Sequence, residues 1–172
     1  MTSSVRGSAS RLLRYRKADP DHRRLREADR RFEHCYSVDN GKSMTRESRF
    51  EAAALNRTCT GILVQEYLFR GSVHDEANVI FMSLDTGICL RFFFDAGVFF
   101  WKVATPVAAP SDDQSEYRLV EPKFAERLRG RKIVAAEFNA SPDYARELGI
   151  AFEGGIRFCL RNHMDTSALT CH

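Results

Sequence analysis

The stretch NVIFMSLDTGICLRFFFDAGVFFWKV, Asn78 to Val103, decides the fold class. It holds three runs rich in β-branched and aromatic residues: Asn78–Leu84, Ile88–Phe94 and Val98–Val103. Asp85-Thr86-Gly87 and Asp95-Ala96-Gly97 separate them. Asp and Gly at such breaks favour tight reversals, so the stretch reads as a β-meander. A three-residue reversal at 85–87 sets Leu84 against Ile88, Met82 against Leu90 and Ile80 against Phe92. One face is then wholly apolar, as a buried face requires. The other face carries Phe81, Cys89, Arg91 and Phe93, which is too apolar for full hydration. A basic helix nearer the N-terminus is expected to cover part of it. At the second reversal a two-residue turn opposes Arg91 to Lys102, which repels. A three-residue turn opposes Arg91 to Trp101, which permits a cation–π contact, and this register is expected.

Working outward, Ile62–Phe69 reads as a strand, 70–76 as a polar loop and 105–118 as a long polar connection with Pro106 and Pro110. Pro122 opens a short helix, Lys123–Arg129, which Gly130 closes. Arg131–Phe138 is a strand, and Asn139–Arg146 a turn or short helical piece. A last hairpin, Leu148–Phe152 and Ile156–Arg161, turns at Glu153-Gly154-Gly155 and again shows one apolar face. Upstream, Thr45 caps a helix over 46–55 with Phe50, Ala53 and Ala54 inward. Asp39-Asn40-Gly41 is a turn. Asp19 and Pro20 start an earlier helix with the stripe Leu25, Ala28, Phe32. The expected fold is α+β. It has an antiparallel β-meander sheet of about six strands, one or two N-terminal helices and one short helix before the C-terminal strands. Residues 1–18 are expected to form a flexible basic arm, 19–162 a single domain and 163–172 a flexible tail. No internal repeat appears at solenoid spacing.

The net charge of +3 is unevenly spread. Residues 1–50 hold 13 Lys+Arg against 7 Asp+Glu, and the remainder holds 13 against 16. Hydrophobic residues make up 44% of the chain, enough for a substantial core. Arg91 breaks the longest apolar run, so no stretch approaches the roughly 20 residues of a membrane helix. Residues 1–10 lack the apolar stretch of a secretory signal, so a cytoplasmic protein is expected. The five Cys at 35, 59, 89, 159 and 171 show no CxxC spacing and are read as reduced thiols.

Each chemical motif has a plainer explanation. Asp85-Thr86-Gly87 spells the tripeptide of aspartic proteases, which need two adjacent carboxylates. The similar Asp95-Ala96-Gly97 lies at the far end of one strand, roughly 23 Å away at about 3.3 Å per residue. His163, Asp165, Cys171 and His172 carry metal-ligating atoms, but the last two are adjacent where zinc pairs are normally spaced. No family signature surrounds Cys35, Cys59 or Cys89 with His34 or His74, so no catalytic residue and no cofactor is assigned. Glu66, Arg91 and Glu137 interrupt apolar strands and are the polar residues an enzyme or small-ligand binder would use.

Two segments point to binding. Arg91, Phe93, Phe99 and Trp101 bring to the sheet the residue types that interfaces favour. Arg23, Arg24, Arg26 and Arg30 suit phosphate contact, though interleaved acidic residues dilute their field. The small chain, its meander and a short helix before the L-x-G-x-x-I pattern at Leu128–Ile133 resemble immunity and adaptor proteins of bacterial toxin systems. The resemblance implies a non-catalytic domain that binds and blocks a protein partner. A nucleic-acid-associated protein using the Arg-rich segment is the alternative, and a small-ligand binder or enzyme a third.

Overall fold

The computed structural model describes residues 45–140, 146–163 and 166–172. They belong to a unit spanning Ser43–His172. In chain order the elements are α1 (Arg46–Ala54), β1 (Cys59–Phe69), β2 (Ser72–Leu84), β3 (Cys89–Asp95), β4 (Val98–Val103) and β5 (Ser115–Val120). Then follow α2 (Ala125–Leu128), β6 (Ile133–Ala140), β7 (Arg146–Phe152), β8 (Arg157–His163) and β9 (Thr166–Cys171). The arm 1–18, the helix expected from Asp19 and the turn at Asp39–Gly41 lie outside the described residues.

The fold is β-rich and built on antiparallel sheets, but not on one sheet of about six strands. The strands form two sheets, ordered β4-β3-β2-β1-β5 and β6-β7-β8-β9. The reason is burial. The apolar faces of the meander and of the C-terminal hairpin cover each other. Ile80, Met82, Leu90 and Phe92 share one core cluster with Leu148, Ile150, Phe158 and Leu160. The Phe92 and Phe158 rings approach to 6.5 Å between centroids, and Phe99 and Phe138 to 4.8 Å.

α1 forms where its cap predicts. Thr45 Oγ1 accepts the Ser48 N–H at 3.1 Å, satisfying an orphan donor of the first turn. Phe50 and Ala54 are fully buried. Phe50 enters an aromatic socket, its ring centroid 5.2 Å from Phe92, 5.2 Å from Phe99, 5.8 Å from Trp101 and 6.0 Å from Phe138. A nine-residue helix is marginal alone, so this packing is what holds it. α2 also stands where expected, and Gly130 follows it at φ 76°.

Four expectations need correction. The loop expected at 70–76 is only the reversal Arg70-Gly71, at φ 51° and 79°, and β2 begins at Ser72. Ser72, Val73, His74 and Glu76 face solvent and the buried Asp75 is polar, so no apolar alternation marked the start of the strand. Within the supposed connection, Ser115–Val120 is β5 and pairs along β1. The supposed tail contains β9, which pairs with β8 from Phe158↔Cys171 to His163↔Thr166. In the second hairpin Asp95 faces Val98, and Arg91 faces Lys102 rather than Trp101. Ala96 and Gly97 both have positive φ, 49° and 73°, giving a two-residue turn whose twist matches the strands. That register brings Phe94 against Phe99 and Phe92 against Trp101 on the core side, which outweighs one like-charge pair. The first hairpin keeps its expected register, with Met82 facing Leu90 and Ile80 facing Phe92.

Candidate functional site

The two sheets differ on the faces turned away from the core. On the four-stranded sheet, Arg157 bonds Glu137 at 2.8 Å and Arg161 bonds Glu147 at 2.8 Å, an ordinary solvated surface of ion pairs. Gly149 lets this happen. A Cβ there would collide with the Arg157 guanidinium, so only glycine lets that side chain lie flat toward Glu137.

The five-stranded sheet presents aromatic rings instead. Alternation along β3 and β4 puts Arg91, Phe93, Phe100 and Lys102 on its outer side, because Phe92, Phe94 and Phe99 are in the core. Phe93 and Phe100 face each other in register and stack, centroids 5.4 Å apart with planes 16° from parallel. The Arg91 guanidinium lies 4.7 Å from the Phe93 centroid, and that of Arg46, from α1, 4.5 Å from the Phe100 centroid. Arg46 is anchored, donating to the Phe99 carbonyl at 3.0 Å, while the Trp101 indole N–H donates to the Arg46 carbonyl at 2.9 Å. Each cation–π contact is worth about 0.5–1 kcal/mol and the ring pair about 0.5–1.5 kcal/mol. Val98, half exposed, extends the apolar area at the β3–β4 turn.

Further along this face the connection after β4 crosses the sheet. The Ala109 N–H donates to Gln65 Oε1 at 2.9 Å, and Gln65 Nε2 donates to Asn78 Oδ1 at 3.1 Å. Val79 and Phe81 are buried nearby. At the β1–β2 tip a second aromatic group begins. Tyr67 and Tyr117 stack at 5.2 Å, His74 stands 6.2 Å from Tyr67 and 6.0 Å from Phe69, and Arg70 lies over Phe69 at 5.1 Å.

Of the residues singled out in the sequence, Arg91 and Phe93 meet on the outer face. Phe99 and Trp101 lie on the opposite side of β4, Phe99 at 4% exposure and Trp101 against Phe50. Arg23, Arg24, Arg26 and Arg30 lie outside the described residues. Neither Phe100 nor Arg46 was among the binding residues assigned from the sequence. The signal for Phe100 was its parity with Phe93 across a two-residue turn. Arg46 had none, since a helix's docking angle is tertiary.

The catalytic readings find no convergence. Glu66 bonds Arg118 at 2.6 Å across β1 and β5, whereas Glu137 belongs to the other sheet. Asp85 and Asp95 stand at opposite ends of β3. Burial pushes the thiols of Cys59 and Cys89 up, away from the reactive thiolate. Cys171 packs against the core. Among the described residues no group of three or more His, Cys, Asp or Glu could hold a metal ion. Among them, too, no helix is long and apolar enough to cross a membrane. Compared with known protein families, characterised proteins and solved structures, the chain matches none.

Proposed function

We propose that this chain is a non-catalytic protein-binding domain, of the immunity or adaptor kind, that holds its partner against the outer face of the five-stranded sheet. One observation carries the reading: the stacked Phe93–Phe100 pair with Arg46 and Arg91 over its rings. Interface centres are enriched in aromatic residues and arginine, and few such residues supply most of the affinity. Planar rings held by stacking lose little entropy on binding, so the pair is ready for contact.

The test is affinity capture from native lysate with the full-length chain, with and without nuclease, followed by a dissociation constant for the recovered partner. Phe93→Ala with Phe100→Ala is expected to weaken binding about 30-fold or more, the equivalent of about 2 kcal/mol. An unchanged constant would falsify the assignment of the face. Recovery that disappears with nuclease would favour nucleic acid as the partner.

A further inference from the structure

We infer that the tip of the β1–β2 hairpin is held against the second sheet by a buried latch, Asp75 of β2 with Asn162 of β8 and Ser167 of β9, which lets go as pH rises.

The latch is recognised against a duplication in the backbone. Across the described residues one helix-plus-four-strand unit occurs twice. The pairs of β3–β4 recur 68 positions later in β8–β9: Phe92↔Trp101 as Leu160↔Leu169, and Leu90↔Val103 as Phe158↔Cys171. Those of β1–β2 recur in β6–β7, 74 positions on along the first strand and 68 along the second. Ile62↔Met82 returns as Ala136↔Ile150, and Gln65↔Val79 as Asn139↔Glu147. The register shift after Cys59 returns after Ile133. Thr58 and Lys132, equivalent residues, bridge each other antiparallel, as a two-fold axis between them requires. Strand β5 stands outside the repeat.

Two departures from the repeat meet at one place. The first is length. Gln65 to Val79 spans 14 positions and Asn139 to Glu147 eight, so the first copy's tip is longer by six residues. Asp75 lies in that tip. The second departure is polarity. Phe94 and Phe99, buried in the first copy, are Asn162 and Ser167 in the second, and these too are buried. The unit therefore folds with two rings at this place, and the polar pair answers the long tip instead. β9 is the edge of its sheet, and its Ser167 N–H goes to Asp75 Oδ1 at 3.2 Å, beside the Ala77 N–H at 2.9 Å. Asn162 Nδ2 donates to Ser167 Oγ and to the Thr166 carbonyl, both at 3.1 Å. Asn162 Oδ1 is buried with no hydrogen-bond partner among the described residues.

The cluster is thus short of a donor. A carboxylate at Asp75 adds a buried charge and further acceptors, whereas the neutral acid adds an O–H. Burial pushes the Asp75 carboxyl up, and Glu76 beside it adds to that. The N–H groups of Ala77 and Ser167 and the Asn78 side chain pull the other way and are outweighed. Tyr67 stands opposite Asp75 on β1, and the His74 ring is turned to Tyr67 and Phe69. On β8, Arg161 and His163 alternate to the exposed face, away from Asn162. Loss of the proton therefore costs most with the latch closed, and the open form gains as pH rises above the ordinary carboxylate range. Released from β9, the tip rests on its own hairpin and on β5, which pairs with it at Tyr67, Leu68 and Phe69.

The test is amide hydrogen exchange of the full-length chain, from the ordinary carboxylate range to above neutrality, each rate divided by that of the unfolded amide. Protection of Ser167 and of the tip amides is expected to fall by about tenfold for each unit by which burial displaces the carboxyl. Leu90 and its equivalent Phe158, on β3 and β8, are expected to stay protected. Asp75→Asn, neutral at every pH, is expected to keep Ser167 protected throughout. A flat profile at Ser167 in the wild type overturns the latch. A profile that persists in Asp75→Asn overturns it as well, because another group then titrates. Equal loss at Leu90 and Phe158 does the same, because the event is then unfolding of the whole fold. Should Asp75→Asn fail to fold, the wild-type contrast between Ser167 and Leu90 decides alone.

Discussion

Replacing Phe50 with alanine removes the large side chain by which α1 enters the core. The ring is fully buried and meets Phe92, Phe99, Trp101 and Phe138, all edge-on and within 6.0 Å. A buried Phe→Ala change costs about 3–5 kcal/mol through lost transfer energy and a residual cavity. Edge-on aromatic pairs add about 0.5–1.5 kcal/mol each beyond area. The socket is walled by strands of both sheets, which limits collapse into the void. The expected loss is therefore about 4–5 kcal/mol, a large part of the roughly 5–15 kcal/mol that holds a typical domain. With a urea slope of about 2 kcal/mol/M, the midpoint falls by about 2 M. The chain has one tryptophan, and Trp101 lies 5.8 Å from Phe50, so its fluorescence follows the site directly. Phe50→Leu, keeping most of the volume, should cost under about 1.5 kcal/mol. Thr45→Ala, which deletes the cap, should cost about 1 kcal/mol. A Phe50→Ala shift below about 0.5 M would refute the view that this ring holds α1 on the sheets.

Asp75 is 7% exposed on β2 and accepts the N–H groups of Ala77 and Ser167 at 2.9 and 3.2 Å, the latter tying β9 to β2. Burial pushes its carboxyl above the ordinary range, more than those hydrogen bonds pull it down. The folded chain then binds this proton more tightly than the unfolded chain, so the group's contribution to stability falls as pH rises through that window. Wild type should accordingly gain stability relative to Asp75→Asn as the pH is lowered from neutrality toward the ordinary carboxylate range, and a relative loss on acidification would contradict the sign. Gly149→Ala should displace the flexible Arg157 tip from Glu137 at a cost under about 1 kcal/mol, vanishing in an Arg157→Ala background. A calorimetric loss several times larger would mean that the backbone there cannot adjust. The Cys59 thiol, fully buried and pushed up by that burial, should react with a thiol reagent only as fast as the protein unfolds. Rapid labelling at native conditions would show an opening that the fold does not suggest.

The elements legible in advance were those whose causes are local. Thr45 announces α1 because its hydroxyl competes for the Ser48 N–H within one turn. Asp85-Thr86-Gly87 announces a reversal because Gly87 takes φ 78° without strain. The strands with weak alternation were missed. Thr166–Cys171 holds one large apolar residue, and only β8 alongside makes it a strand. β2 was read short because its first turn of residues meets solvent. The duplication was invisible for a related reason. Across 78–104 and 146–172 the copies share Gly87 with Gly155 and Ile88 with Ile156, and no other identity. Core positions accept any apolar side chain of fitting volume, so Leu84 and Phe152, or Phe92 and Leu160, keep a backbone while erasing the likeness.

Alternation and turn chemistry determined that this chain makes antiparallel hairpins with clean apolar faces, since both act within a few residues. Alternation states that a face is buried and says nothing of what buries it. Which face meets which was decided by tertiary packing alone. The two apolar faces satisfied each other, Phe50 closed the socket between them, and β4 took the register that its core side preferred. That choice placed Phe100, rather than Phe99 or Trp101, beside Phe93 on the outside, because a one-residue change of register moves every side chain to the other face.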